Sequence, residues 1–316
     1  FFFQAEDGIR VAQESRGLGD VYKRQVLGCV PRLPALQIPE RHLGLFTVVE
    51  RPAAVAEFLQ QAGTVLSEYI DLDRLWKIAD GSEPLPNIMA EKPQIPTPVV
   101  RVAVARDEAF CFYYEDNLDE LRRCGVEIVP FSPLSDARLP AGISGIYIGG
   151  GYPELYAQRL SENTTMRQQV LAANRCNMPI YAECGGLMYL TEGIRAEDAN
   201  YPLVGAVPGW CRMGTKLKMG YREIEVRQPN LLAEAGTQLR GHEFHYSDWE
   251  HPVADSAAYQ VYSHNQADQP RPEGFTAGNL LASYIHLHFA QNPSLAERLV
   301  NSCQQWWANH AEGVSL

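Results

Sequence analysis

Between residues 99 and 190, short apolar runs alternate with stretches of helical period, and two of those runs end in glycine-rich turns. The runs are VVRVAVAR (99–106), VEIVPF (126–131), SGIYIGG (144–150) and MPIYA, and a helix is expected through Leu118, Leu121 and Cys124 to Gly125 between the first two. Short strands separated by helices pair in parallel through right-handed crossovers. The expected fold is therefore α/β, an open and mostly parallel sheet with helices on both faces. In such sheets ligands sit beyond the carboxyl ends of the strands. GGGYPE and AECGGL occupy two of those ends, and residues from about 201 to 262 read as strands and turns inserted before a last strand, ASYIHLHF.

Composition narrows the partners. A net charge of −11 gives no footprint for nucleic acid, which needs clustered Lys and Arg. No run approaches 18 consecutive apolar residues and no signal peptide opens the chain, so a membrane partner is not expected and the cytoplasm is the expected compartment. Seven cysteines without a C-x-x-C pair read as reduced thiols, not as staples or zinc ligands. A small molecule is the default ligand.

Before residue 99 the pattern differs. Residues 1 to 25 lack periodicity and resemble translated sequencing-adaptor sequence. They are expected to be non-native, with the gene continuing upstream of Val26; an unbroken native match in long reads would refute this. Residues 26 to 80 hold an expected short strand, VLGCVPR, and an amphipathic helix from Pro52 to about Ile70. Too little is present there to enclose a core, so the segment reads as the end of a larger domain. GSEPLPNIMAEKPQIPTP (81–98), with five prolines, reads as a linker.

The chemistry centres on YAECGGLMYL (181–190). A nucleophile on a sharp strand-to-helix turn needs small residues two positions before and after it, and Ala182 and Gly186 flank Cys184 in that way. Such an elbow aims the Gly185 N–H at a developing oxyanion, and a helix starting there favours the thiolate. The alternative is one more buried thiol. Gly150 and Gly151, after a neighbouring apolar strand, offer further oxyanion N–H groups. His286, in SYIHLHF, is the expected base, with His288 on the same strand face; two satisfied imidazoles and an H-x-H metal site are the alternatives.

RGHEFHYS (240–247) comes one residue short of H-E-x-x-H, and on a strand His242 and His245 point to opposite sides. A structural or substrate-facing strand is expected there, and no metal site. FCFYYEDN (110–117) reads as helical core aromatics, with a ligand wall as the alternative. No G-x-x-x-x-G-K-[ST] occurs in the chain.

With the elbow, the glycine turn and the late histidine in that order, the chain resembles the class I glutamine amidotransferase domain, in the version that closes cobyrinic acid a,c-diamide synthases. The resemblance covers residues 26 to 310 through IPERHLGL (38–45), IGGGYPELYA (148–157), YAECGGLMYL, MGYRE (219–223), GHEFHYS (241–247) and SYIHLHFAQNP (283–293). It implies a flavodoxin-like domain over 99–316 in which Cys184 attacks the side-chain amide of L-glutamine. His286 activates the thiol and protonates the departing ammonia, while Gly150, Gly151 and Gly185 serve the oxyanion, with Glu183, His288, His242 and His245 as supporting residues. It also implies that ammonia passes to an amidoligase domain of the P-loop type, represented here only by residues 26–80, where ATP and Mg2+ activate the a and c carboxylates of cobyrinate. Nothing in 99–316 is expected to hold either cofactor. A homodimer is one assembly the family allows. Many class I amidotransferases carry a glutamate two residues after the histidine, where this chain has His288. Rival substrates are hydrogenobyrinate, nickel sirohydrochlorin and cobyric acid precursors; rival classes are a stand-alone cysteine hydrolase and a non-catalytic binding module.

Overall fold

Two helix-start signals organise the residues before the linker. Pro52 opens α1 (Pro52–Tyr69), its fixed φ and missing N–H suiting the first turn. Asp71 caps α2 (Leu72–Asp80), its carboxylate accepting the Arg74 N–H at 2.9 Å. Neither helix buries a residue, and Leu59, Leu66 and Trp76 stay exposed. The strand expected over VLGCVPR is instead a single bridge between Gly28 and Ile70; Pro31 has no N–H to extend a ladder there. The computed structural model describes residues 26–37, 40–41, 44–45, 51–83, 96–196, 199–251, 257–263 and 269–310. Residues 1–25 and 84–95 of the expected linker lie outside them, as does half of IPERHLGL, whose described residues pair as Glu40–Arg41 with Gly44–Leu45. The chain divides into two units, Phe1–Glu91 and Lys92–Leu316.

In the second unit the strands include, in chain order, β1 (Val100–Ala105), β2 (Val126–Phe131), β3 (Gly145–Ile148), β4 (Ile180–Glu183), β5 (Trp210–Val226), β6 (Gln238–Glu250), β7 (Tyr259–Ser263), β8 (Arg271–Glu273), β9 (Phe275–Ala277), β10 (Leu280–Ser283) and β11 (His286–Leu287), with shorter pieces at Phe110–Phe112, Gly150–Gly151, Gly193–Arg195 and Asn200–Pro202. The main sheet has the order β9-β10-β4-β3-β1-β2 and is parallel except for the edge pair β9–β10. Its parallel strands follow the flavodoxin-like order 2-1-3-4-5, which reverses direction between β1 and β3. The helices α3 (Glu115–Arg123), α4 (Ala157–Glu162), α5 (Thr164–Arg175), α6 (Gly185–Leu190) and α7 (Ser294–His310) supply the crossovers and covers. Met166 and Val170 of α5 with Leu187 of α6 fill the core on one face; Leu118 and Leu121 of α3 with Leu295 and Leu299 of α7 fill it on the other. The near-continuous burial of β1, β3 and β4 follows from this double cover.

A second sheet is built from the inserted residues: β5 pairs antiparallel with β6 and with β7, and β6 with β11. Here the sequence reading needs correction. ASYIHLHF is not one strand. The main sheet takes the residues just upstream, Leu280–Ser283 beside β4, and the chain then bends at Tyr284 and Ile285 before His286–Leu287 joins β6 in the other sheet. Buried side chains accept the N–H groups that leave the first ladder: Glu273 from Tyr284 at 2.8 Å, Ser283 Oγ from Ile285 at 2.9 Å, and Glu183 from Leu287 at 3.0 Å. A backbone donor without such a partner in the core would cost roughly 1–3 kcal/mol. FCFYYEDN also differs from expectation. Phe110–Phe112 is a short strand paired with Gly150–Gly151, so its aromatics stand beside the glycine turn and not on a helix.

Candidate active site

Cys184 sits at the carboxyl end of β4 and caps α6 with φ 50° and ψ −104°. Apart from Asn177 it is the only non-glycine residue with positive φ among the described residues. A side chain held in that region stores about 1–3 kcal/mol of strain, which a local structure must overrule. The overruling contacts are close. A Cβ on Gly186 would stand 2.1 Å from the Ile148 carbonyl oxygen, so only glycine lets α6 pack against the end of β3. The Cys184 N–H donates to the Ser283 carbonyl at 2.7 Å, tying the elbow to β10. Its Sγ, in a residue only 6% exposed, lies 3.7 Å from the Phe244 carbonyl oxygen of β6.

The glycine turn closes over this elbow. A Cβ on Gly185 would lie 3.1 Å from the Gly151 nitrogen and 2.9 Å from Pro153 Cδ, so the backbones of the two turns are neighbours. Tyr113 fixes the turn from β1's side: its hydroxyl accepts the Gly149 N–H at 2.9 Å and donates to the Ala105 carbonyl. Gly150, Gly151 and Gly185 thus lie in one strand-end region with Cys184.

His286 arrives from the other sheet. It is buried, places Nδ1 3.7 Å from Glu183 Oε2, and is acted on electrostatically by Cys184. Its ring also sits against the turn, since a Cβ on Gly150 would fall 2.6 Å from His286 Cε1. Burial pulls its pKa down, but the interactions with Cys184 and Glu183 outweigh burial and push it up to about 10. At neutral pH the imidazole therefore keeps its proton. The His242 ring stacks on it at 4.6 Å and 11°; burial and the positive charge of His286 lower the His242 pKa, so that imidazole stays neutral.

The other expected residues separate. His242 is held by the Tyr114 hydroxyl at 2.9 Å and lines the site. His245 faces the opposite side of β6, where it bonds Glu243 at 3.1 Å and stacks on Tyr284. Glu243 there also receives Arg222 at 2.8 Å and Arg271, and these charges hold its pKa at about 2 although burial would raise it. A cavity of about 470 Å³ opens beside this cluster, lined by Lys216, Lys218, Arg222 and Arg271 among others; neither Cys184 nor His286 lines it. His288 lies at the surface, 3.3 Å from Asp116 Oδ2 and against the Tyr114 ring. Among the described residues no three His, Cys, Asp or Glu side chains converge as a metal site. The sequence offers Tyr113 and Tyr114 only through the ligand-wall alternative for FCFYYEDN and gives no sign of the Phe244 carbonyl, which reaches the site from a distant segment.

A buried thiol on a strained elbow, with a glycine turn beside it and a buried imidazole against that turn, is the equipment of acyl transfer. The family model described as the CobB/CobQ-like glutamine amidotransferase domain matches residues 101–294. The chain belongs to this family of glutamine amidotransferase domains. Within it, the chain is 44% identical over 291 residues to a cobyrinate a,c-diamide synthase of Dehalococcoides mccartyi strain 195, covering 90% of this chain and 62% of that protein. It is 40% identical over 285 residues to the protein of the same name from Synechococcus sp., covering 89% and 61%. The chain thus spans a little over six tenths of the length of the curated relatives it matches. A solved glutamine amidotransferase structure aligns at a TM-score of 0.46 and 15% identity, over 64% of this chain and 98% of that one.

Proposed function

We propose that this chain is the glutaminase half of an enzyme that amidates the a and c carboxylates of cobyrinate in cobalamin biosynthesis, with L-glutamine as nitrogen donor. The observation that carries the glutaminase reading is the strained Cys184 elbow at the end of β4, with the buried His286 ring against the neighbouring glycine turn, where an open α/β sheet places its ligands. The corrinoid substrate rests on the relatives' names alone.

In the proposed reaction the Cys184 sulfur attacks the glutamine side-chain amide carbon. The amide oxygen becomes an oxyanion, received by the Gly185 N–H and by an N–H of Gly150 or Gly151, where each donor contributes roughly 3 kcal/mol to the barrier reduction. The proton on His286 passes to the leaving nitrogen, ammonia departs, and a glutamyl thioester remains. Water, its proton taken by the now neutral His286, hydrolyses the thioester to glutamate. In that cycle His286 begins as the acid, consistent with an imidazole that keeps its proton.

ATP and Mg2+ would supply carboxylate activation, and the residues present do not fit them: there is no phosphate-binding G-x-x-x-x-G-K-[ST] in the chain, and no metal-ligand cluster among the described residues. Their chemistry is assigned to the part of the relatives that this chain does not span. Residues 26–80 would be the end of that ligase part, 81–98 the linker and 99–316 the amidotransferase domain. No helix among the described residues is long and apolar enough to cross a membrane. The reaction is placed in the cytoplasm as part of this proposal.

The test is glutamate release from glutamine by the chain and by Cys184→Ala, with labelling by a glutamine-analogue diazoketone. Release and labelling that both vanish in the variant are expected. Labelling that persists in Cys184→Ala would overturn the assignment, and turnover of simple esters without glutamine would favour a stand-alone cysteine hydrolase.

A further inference from the structure

Triad logic asks for a group that orients the imidazole from the nitrogen away from the nucleophile. Two residues after His286 the strand spacing nominates His288, yet that side chain is out at the surface, paired with Asp116 and packed on Tyr114. The group that does meet Nδ1 comes from the other side of the elbow. Glu183, the residue immediately before the nucleophile, points into the core and places Oε2 3.7 Å from His286 Nδ1.

We infer that Glu183 is the positioning carboxylate of the glutaminase site, holding the His286 ring by Nδ1 and leaving Nε2 for the thiol. The inference rests on the Cys184–His286 reading above. Three features favour it over a carboxylate that only organises the core. First, Glu183 is itself rigidly aimed: Oε2 accepts from the Tyr147 hydroxyl at 3.0 Å, while Oε1 accepts from the Tyr181 hydroxyl and from the Leu287 N–H at 3.0 Å. Second, the Leu287 bond anchors the strand residue next to His286, so one carboxylate sets both the backbone and the ring of the acid. Third, neighbouring positions on one strand carry both groups. β4 delivers Glu183 to the core and the strained φ of Cys184 turns the next side chain up towards the site, so nucleophile and orienter are fixed by one piece of backbone. The Nδ1 contact is longer than a hydrogen bond and within the reach of an ion pair, and catalytic contacts of this kind tighten when substrate binds.

The charged and titratable surroundings are known on every side. Glu183 is faced by the phenols Tyr147 from β3, Tyr181 from β4, Tyr113 and Tyr114 from the segment after β1, and Tyr259 from β7. His286 is faced by Cys184, Glu183 and the neutral His242 of β6. The carboxylate therefore favours the protonated imidazole, whose pKa is pushed up to about 10.

The experiment is Glu183→Gln, isosteric and uncharged, measured for glutamate release against pH beside the wild type and Cys184→Ala. We expect kcat to fall by about 100-fold or more with KM changed by less than about threefold. The alkaline limb of the rate should move to lower pH by more than one unit, because the proton on His286 is lost more easily, and Glu183→Asp should recover part of both effects. A merely structural carboxylate would lower the melting temperature and leave the pH limb where it is, and that outcome overturns the inference. If the loss and the shifted limb appear in His288→Gln instead, the inference is overturned in favour of His288. Should Glu183→Gln fail to fold, 15N-histidine spectra of the wild type decide: an Nδ1-bound proton on His286 that persists at pH 8 supports the inference, and its absence overturns it. A wild type that neither releases glutamate nor takes the diazoketone label refutes the glutaminase reading itself, a result distinct from an active wild type indifferent to residue 183.

Discussion

Gly150→Ala puts one methyl group where His286 must stand. The added Cβ would lie 2.6 Å from His286 Cε1, and ordinary contact begins near 3.4 Å, so the ring must retreat by about 0.8 Å. The retreat disturbs the 3.7 Å contact with Glu183 and the seat of the ring against the glycine turn. A misplacement of about 1 Å in a reacting group can cost on the order of 100-fold. We therefore expect glutamate release and diazoketone labelling to fall by about 10- to 100-fold, or about 1.4 to 2.7 kcal/mol in barrier. The fold should survive, because Gly150 does not need positive φ and its other near neighbour is Cβ of the half-exposed Phe112 at 3.3 Å. Gly186→Ala is the contrasting case. Its Cβ meets a backbone oxygen at 2.1 Å, which cannot swing aside, so that variant should lose the folded state before any question of rate arises. Glutamate release by coupled assay, with thermal unfolding of both variants, separates the two. Gly150→Ala with turnover within about threefold of wild type and an unchanged melting curve would refute the placement of His286 against the turn.

Two buried glutamates should give stability opposite pH slopes. Glu243, held at about 2 by His245, Arg271 and Arg222 against its burial, adds stability that is full above about pH 4.5 and is lost as pH falls through 2, on the order of 3 kcal/mol; in urea unfolding, Glu243→Gln should flatten the slope between pH 5 and 3.5, and an unchanged slope would contradict the cluster. Glu273 is raised to about 7 chiefly by burial, against the hydrogen bonds from Ser283 and the Tyr284 N–H. Its folded form holds the proton more tightly, so stability should fall by roughly 3 kcal/mol as pH rises from 4.5 through 7. Glu273→Gln should remove that fall, and an equal fall in the variant would count against it.

The alternation of apolar runs with helical stretches was enough to place β1 to β4 and the elbow, because strands buried on both faces and a turn that needs small flanking residues are local properties. Ala182 and Gly186 advertise Cys184 without help from the rest of the chain. His286 was visible as a residue near a strand end, but not the way it gets there. Periodicity cannot show that ASYIHLHF changes sheets after Ser283, since the change depends on which distant groups accept the abandoned N–H donors. Glu183 accepts from Leu287 across 104 positions of sequence. The same blindness applied to FCFYYEDN, whose aromatics looked like helical core until Gly150–Gly151 supplied a strand partner, and to RGHEFHYS, whose metal-like spacing belongs to an ion cluster completed by Arg222 and Arg271.

The change of sheets has a chemical purpose that neither half of the site could serve alone. The proposed nucleophile at the end of β4 is fixed by the main sheet, through its N–H bond to the Ser283 carbonyl and the start of α6. The proposed acid comes from a second plane, which β6 provides by pairing His242 with His286. The two planes have to meet within tenths of an ångström, and what joins them in the core is a set of buried acceptors: Glu273, Ser283 and Glu183. Of the three, only Glu183 also faces the imidazole, so loss of its charge should loosen the acid before it loosens the seam, whereas loss of Glu273 should loosen the seam and leave the proton on His286 in place.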